Sequence, residues 1–196
     1  MKSILISINP QHAVNILNGS KTLELRKSVP KDFVGWVYMY VTKGGITIYK
    51  NKVEYDYVQG LGNVVNSWNN PRLNGKVVAR WWFDGYDVVE EHHLINQGET
   101  WFTIGNDGST FYNKLCLNVT DVSKYLGMNN GYAWHISKLE ILDKPMGLGE
   151  FETSIRKVKS NYDFMGTHFD YVDSYERKDI TKAPQSWQYV WVKEKL

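Results

Sequence analysis

Gly19-Ser20-Lys21-Thr22-Leu23-Glu24-Leu25-Arg26 combines three charged side chains with two leucines in an alternation that suits a strand. On such a strand Leu23 and Leu25 share one side, and Thr22, Glu24 and Arg26 the other. The leucines would seat the strand on a core. The opposite face then carries a carboxylate and a guanidinium two places apart, near enough to share a hydrogen-bonded ligand or to bind each other. Lys21 sits at the turn before the strand, where parity does not yet bind it, and could reach the same pocket. The ordinary alternative is a solvated surface pair, worth about 0–1 kcal/mol. On this reading Leu23→Asp should unfold the protein and Glu24→Gln should leave its melting temperature nearly unchanged.

Working back towards the N-terminus, residues 3–8 form a short apolar run that reads as a buried strand. Asn9 suits a helix N-cap, and Pro10 its first turn, where the missing N–H costs nothing. Residues 9–18 read as that helix, with Ala13, Ile16 and Leu17 as its apolar stripe. Gly19 fits the position just past the helix end, where a left-handed backbone is often needed.

Working forward, Val29-Pro30 closes the charged strand. Residues 35–42 read as a second strand, and Gly44-Gly45 as a turn into a third at 46–50. Residues 60–74 read as loop. A strand follows at 76–83, with Val77, Ala79, Trp81 and Phe83 alternating with Val78, Arg80 and Trp82. Residues 91–118 read as loop with short strands, and 121–126 as a brief helix capped by Thr120 and closed by Gly127. One long strand is expected over 132–142 and a last one over 185–192. Residues 152–181 mix Arg156, Lys157, Lys159, Arg177 and Lys178 with tyrosines and read as an excursion from the body. Strands outnumber helices, which gives an α+β, β-rich fold: a closed or partly closed β-barrel with helices packed at its rim. The 196 residues suit one domain, 1–196, with insertions near 43–74 and 152–181.

Hydrophobic residues at 42% and charged residues at 22% place the chain among ordinary globular proteins. A formal charge of +2 does not by itself imply nucleic acid; a local patch is required. Eight Trp and thirteen Tyr exceed what a core of this size needs, so a few rings are free in principle to stack on bases. A single cysteine, Cys116, rules out an internal disulfide and a multi-cysteine zinc site. The adjacent His92-His93 lacks metal-ligand spacing, and no Gly-rich nucleotide cradle is present, so no metal and no cofactor are expected. The start of the chain is too short in apolar residues for a signal peptide or membrane span, so the expected location is cytoplasmic and no membrane partner is expected.

The stretch Ile4-Leu5-Ile6-Ser7-Ile8-Asn9-Pro10 followed by Ile16 to Lys27 resembles the ASCH family, a branch of the PUA-like superfamily. The family signature is Gly-x-Lys-x-x-Glu-x-Arg, and Gly19, Lys21, Glu24 and Arg26 fill its four places. Gly131-Tyr132-Ala133-Trp134-His135-Ile136 and Pro184-Gln185-Ser186-Trp187 are similar to larger bacterial and phage members. The resemblance implies a PUA-like β-barrel and an RNA or nucleotide partner, held in a cleft around Lys21, Glu24 and Arg26. Trp82, Tyr132, Trp134 and Trp187 are then candidate stacking faces, with His135 as a further contact or a second acid. The alternative that the resemblance implies is a hydrolase using the same three residues. It would be a ribonuclease with Glu24 as base, or an amidohydrolase on acetylated cytidine. In the amidohydrolases a threonine nucleophile stands where this chain has Glu24, and a carboxylate cannot simply replace that hydroxyl. A small-molecule sensor or protein-interaction module is the third class left open.

Overall fold

Strand β1 (Lys2–Ile8) runs through the middle of a seven-stranded sheet, parallel to β3 (Gly35–Val41) and antiparallel to β13 (Trp187–Val192). Its apolar run is buried on both faces, as a central strand requires. The computed structural model describes residues 1–44, 46–50, 55–59, 72–94, 99–105, 110–127, 129–163 and 165–193. The rest of the same sheet is β10 (Ser137–Met146), β6 (Val77–Phe83), β11 (Phe151–Tyr162) and β12 (His168–Asp179), in the order β10-β6-β3-β1-β13-β11-β12. A second sheet holds β2 (Leu23–Arg26), β9 (Gly131–His135), β7 (Tyr86–Leu94) and β8 (Glu99–Ile104), with β2 at its edge. Strands β4 (Ile46–Lys50) and β5 (Tyr55–Gln59) form a separate pair.

The two larger sheets meet in one core. Ile4, Ile6, Val37, Met39, Trp81 and Phe83 of the first sheet pack with Trp134 of the second and with Ala13 and Ile16 of α1 (Pro10–Leu17). A second cluster puts Leu23 and Leu25 against Val89, Phe102, and the helices α2 (Thr110–Leu115) and α3 (Val119–Leu126). The arrangement is α+β and β-rich, with helices packed against the sheets.

Three expectations need correction. Residues 132–142 are not one strand: the Ile136 N–H still donates to the Thr22 carbonyl, one step beyond the Leu23–His135 pair, and Lys138 then adopts a φ of 46°. The chain therefore bends from β9 in one sheet to β10 in the other. The stretch 91–118 is more regular than its glycines suggest, because β7 and β8 pair over Val89–Leu94 and Ile104–Glu99. Helix α3 is capped by Asn118 rather than Thr120, in a reciprocal pair of bonds with Asp121. The excursion at 152–181 is a long hairpin: β11 and β12 pair from Glu152–Asp179 to Tyr162–His168, and from Ser154 to Asp179 its described residues are exposed. The Gly44-Gly45 turn and the 60–74 loop fall largely outside the described residues.

Candidate functional site

The site begins at a helix end. Asn9 Oδ1 accepts the Gln11 N–H at 3.1 Å and Pro10 opens α1, as read from the sequence. Gly19 then takes a φ of 76°, a left-handed turn that most side chains resist. That turn returns the chain against its own helix. The Lys21 N–H donates to the Asn15 carbonyl at 3.0 Å, and the Thr22 N–H to the Lys114 carbonyl at 3.0 Å.

From there β2 runs along the edge of its sheet, paired only with β9 in the register Glu24 opposite Trp134 and Arg26 opposite Tyr132. Leu23 and Leu25 are buried, as the alternation requires. So are the charged side chains: Lys21, Glu24 and Arg26 are 2%, 6% and 7% exposed. The solvated surface pair is thereby overturned.

Each charge is compensated. Lys21 Nζ donates to the Leu115 carbonyl at 2.6 Å and lies 3.4 Å from Glu24 Oε2. Glu24 Oε1 lies 2.9 Å from Arg26 Nη2, which also donates to the Ser7 carbonyl at 2.8 Å. Arg26 Nη1 reaches Ser186 Oγ at 3.4 Å. The guanidinium therefore ties the edge of the second sheet to the ends of β1 and the approach to β13. Burial alone would raise the Glu24 pKa, but Lys21, Arg26 and His12 together outweigh it and hold the carboxyl below its ordinary value, so it is ionised. Two buried cations against one buried anion leave the cluster with a surplus positive charge. Among the described residues, Arg26 Nε, Glu24 Oε2 and the buried His12 Nδ1 meet no hydrogen-bond partner, Oε2 having only its 3.4 Å ion pair with Lys21.

Lys21, Glu24 and Arg26 line one cavity of about 770 Å³ beside α1. Ser7, His12 and Asn15 form another part of its wall, and Cys116, Lys124 and Tyr125 a third. The size is that of a small-ligand pocket.

The aromatic candidates fall elsewhere. Trp134 is fully buried, edge-on to Phe83 and Trp187, with its Nε1–H donating to the Ser28 carbonyl at 3.2 Å. Both its ring faces are covered by core, which leaves none for a base. Trp82 packs edge-on against Trp36 on the first sheet, and Tyr132 against Tyr86. Trp187 contacts Trp134 and Tyr189 and donates to Ser28 Oγ. None of the four lines the cavity. His135 is also outside it, with Nε2 3.0 Å from Asp87 Oδ2 and Nδ1 3.5 Å from Asp84 Oδ1. The residues that sequence reasoning passed over are His12 and Tyr125. His12 and Asn15 stand three apart on α1, off the Ala13–Ile16–Leu17 stripe, and that polar face was the available signal. Nothing local marks Tyr125, which reaches the cavity only because α3 is packed there. Among the described residues no group of three or more His, Cys, Asp or Glu is placed to hold a metal, and no helix is long and apolar enough to cross a membrane.

No protein-family model matches the chain, and no curated protein matches it. Among solved structures it is similar to a crystal structure of ASCH from Zymomonas mobilis, at 14% identity over 74% of this chain and 73% of that one, with a TM-score of 0.44. Two single-residue variants of the Zymomonas mobilis protein match at 14% identity with TM-scores of 0.43; they cover 74% and 76% of this chain and 74% and 77% of theirs.

Proposed function

We propose that the chain is an ASCH-type protein, a single PUA-like unit over 1–196, that binds RNA or a nucleotide in the cavity lined by Lys21, Glu24 and Arg26. The observation that carries this reading is the buried cluster itself. Two cations and one carboxylate lie on the wall of a cavity of about 770 Å³, with one positive charge in excess. A phosphate supplies the missing negative charge, and Glu24 supplies acceptors for an exocyclic amine or a ribose hydroxyl. Because the charges are gathered at one half-open cavity rather than spread along a groove, the site suits one nucleotide unit rather than a long strand. Tyr125, 38% exposed at the cavity wall, replaces Trp134 as the ring available for stacking.

The test is a binding titration with a short single-stranded RNA at several salt concentrations. Lys124 lines the cavity but is exposed, so Lys124→Ala probes the electrostatics without opening the core. It should reduce the slope of log affinity against log salt by about 0.7 if Lys124 meets a phosphate. Tyr125→Ala should weaken binding by roughly 1–3 kcal/mol with the slope unchanged. Salt-independent or undetectable binding by the wild type would end this reading.

The hydrolase alternative gains one observation: the cavity contains His12, a second titratable group beside Glu24. Glu24, held ionised by two cations, is a weak base, so a hydrolytic role falls more naturally to His12. Little or no acetate should be released from acetylated cytidine, because Glu24 stands at the nucleophile's place. Robust turnover lost in Lys21→Ala would reverse that, and labelled single-stranded RNA tests the nuclease form.

A further inference from the structure

His12 is the cavity group with the least to do in the resting protein. It stands in the first turn of α1, its Nδ1 is buried, and no partner among the described residues meets that nitrogen. The charged groups that face it are Lys21 and the Glu24–Arg26 pair of β2, and Asp121 of α3. Lys124 and Tyr125 of α3 and Cys116 complete that side of the cavity. Glu24 Oε1 is held 2.9 Å from Arg26, while Oε2 lies 3.4 Å from Lys21 and meets no hydrogen-bond donor among the described residues. Burial first, and then Lys21 and Arg26, lower the His12 pKa below its ordinary 6.5 against the opposing pull of Glu24 and Asp121. The imidazole is therefore neutral near physiological pH, with an unsatisfied buried nitrogen, a costly arrangement that an incoming group would relieve.

The positive end of α1 lies at the same wall, through Asn9, Gln11 and His12, and favours negative charge. Arg26, nine-tenths buried on that wall, adds an Nε–H without a partner among the described residues. An oxyanion in the cavity would accept from Arg26 and Lys21. It would also cancel the surplus charge that now opposes a proton on His12.

We propose that this cavity is a site for a tetrahedral oxyanion, the phosphate of a nucleotide or phosphodiester, and that its occupancy is coupled to uptake of one proton by His12. The nucleotide as source of the anion rests on the reading above; the anion site itself does not. The proton comes from solvent, adds to the ring nitrogen that lacks one, and makes the imidazolium a third donor to the anion beside Arg26 and Lys21. No bond of the ligand breaks.

Two probes separate the possibilities. Sulfate does not titrate near neutrality, and neither does the phosphodiester of a dinucleoside monophosphate. The His12 ring resonance, assigned by through-bond correlation, is followed against pH in the wild-type protein alone and with each probe. Sulfate should raise the titration midpoint of His12, and sulfate affinity should grow as pH falls, about tenfold for each unit by which the midpoint rises. In His12→Gln, whose folding is checked by its melting temperature, that growth should disappear while weaker binding persists. A midpoint unmoved by saturating sulfate, the absence of sulfate binding, or an unchanged pH dependence in His12→Gln would overturn the proposal. If sulfate shifts the midpoint and the dinucleotide does not, the oxyanion site stands and the nucleotide reading falls.

Discussion

Two sets of ion pairs in this protein share their chemistry and differ in nearly everything else. In the body, Lys21, Glu24 and Arg26 lie out of water at separations of 3.4 and 2.9 Å. On the β11–β12 arm, Lys157–Glu176 and Lys159–Asp173 close at 2.8 and 2.9 Å, and Arg177 stands 3.8 Å from Glu152. Distance does not distinguish them. Solvent does: the arm's pairs are screened and lose little by separating, whereas each charge in the body has given up its hydration and depends on its neighbours. A buried cluster is weak evidence for stability, since apolar residues of the same volume would serve as well or better. Its presence on a cavity wall is what the proposed binding role accounts for.

The comparison breaks first at a leucine. Leu23→Asp puts a carboxylate into the cluster around Val89, Phe102 and Phe111 and should abolish cooperative unfolding in a thermal melt, while Val158→Asp on the arm should leave the melt unchanged. Next comes Glu24→Gln. The sequence alone suggests a nearly silent change, but the buried geometry reverses this: two cations lose their partner, and the loss should be about 3–5 kcal/mol in a denaturant titration. Glu176→Gln on the arm should not move the midpoint measurably. A silent Glu24→Gln would mean that water reaches the cluster and that the contrast is false.

Acid sharpens the same contrast. Glu24 has a folded pKa below its ordinary 4.5, so its contribution is complete above that value and is lost as pH falls towards the folded pKa. His12 has a folded pKa below 6.5, so the unfolded chain binds its proton first, and stability declines as pH falls from 6.5 to the folded value. Melting temperature should therefore fall in two steps on acidification, and His12→Gln should remove the upper one. The smallest effect is that of salt without ligand. Added sodium chloride should loosen hydrogen-exchange protection along the arm slightly and leave β2 unaffected.

The local rules worked where a residue's neighbours in sequence are also its neighbours in space. Asn9, Pro10 and Gly19 announce α1 and its exit, and Leu23 and Leu25 announce the buried side of β2. Period-two alternation has no means of saying that the other side of β2 is buried too. That follows from α1 folding back and from Leu115 and Ser7 arriving across long sequence separations. The burial of Trp134 is hidden for the same reason: a tryptophan suits stacking in principle, and only its packing with Phe83 and Trp187 makes it core. The break after Ile136 is equally hidden, because Ser137 takes its partner, Trp82, from a strand far back in the sequence.

The bonds that close the cavity also set when it can exist. Ser7 Oγ donates to the Pro184 carbonyl across 177 positions, and Arg26 reaches Ser186 across 160. A ribosome delivering this chain from its N-terminus makes the charged strand 160 residues before Ser186, its last partner. For most of that interval Lys21, Glu24 and Arg26 have no enclosed place to go and remain hydrated. The pocket is thus assembled late, in one step with the docking of β13 on β1, and a chain stalled before residue 184 would carry the whole signature stretch yet have no site.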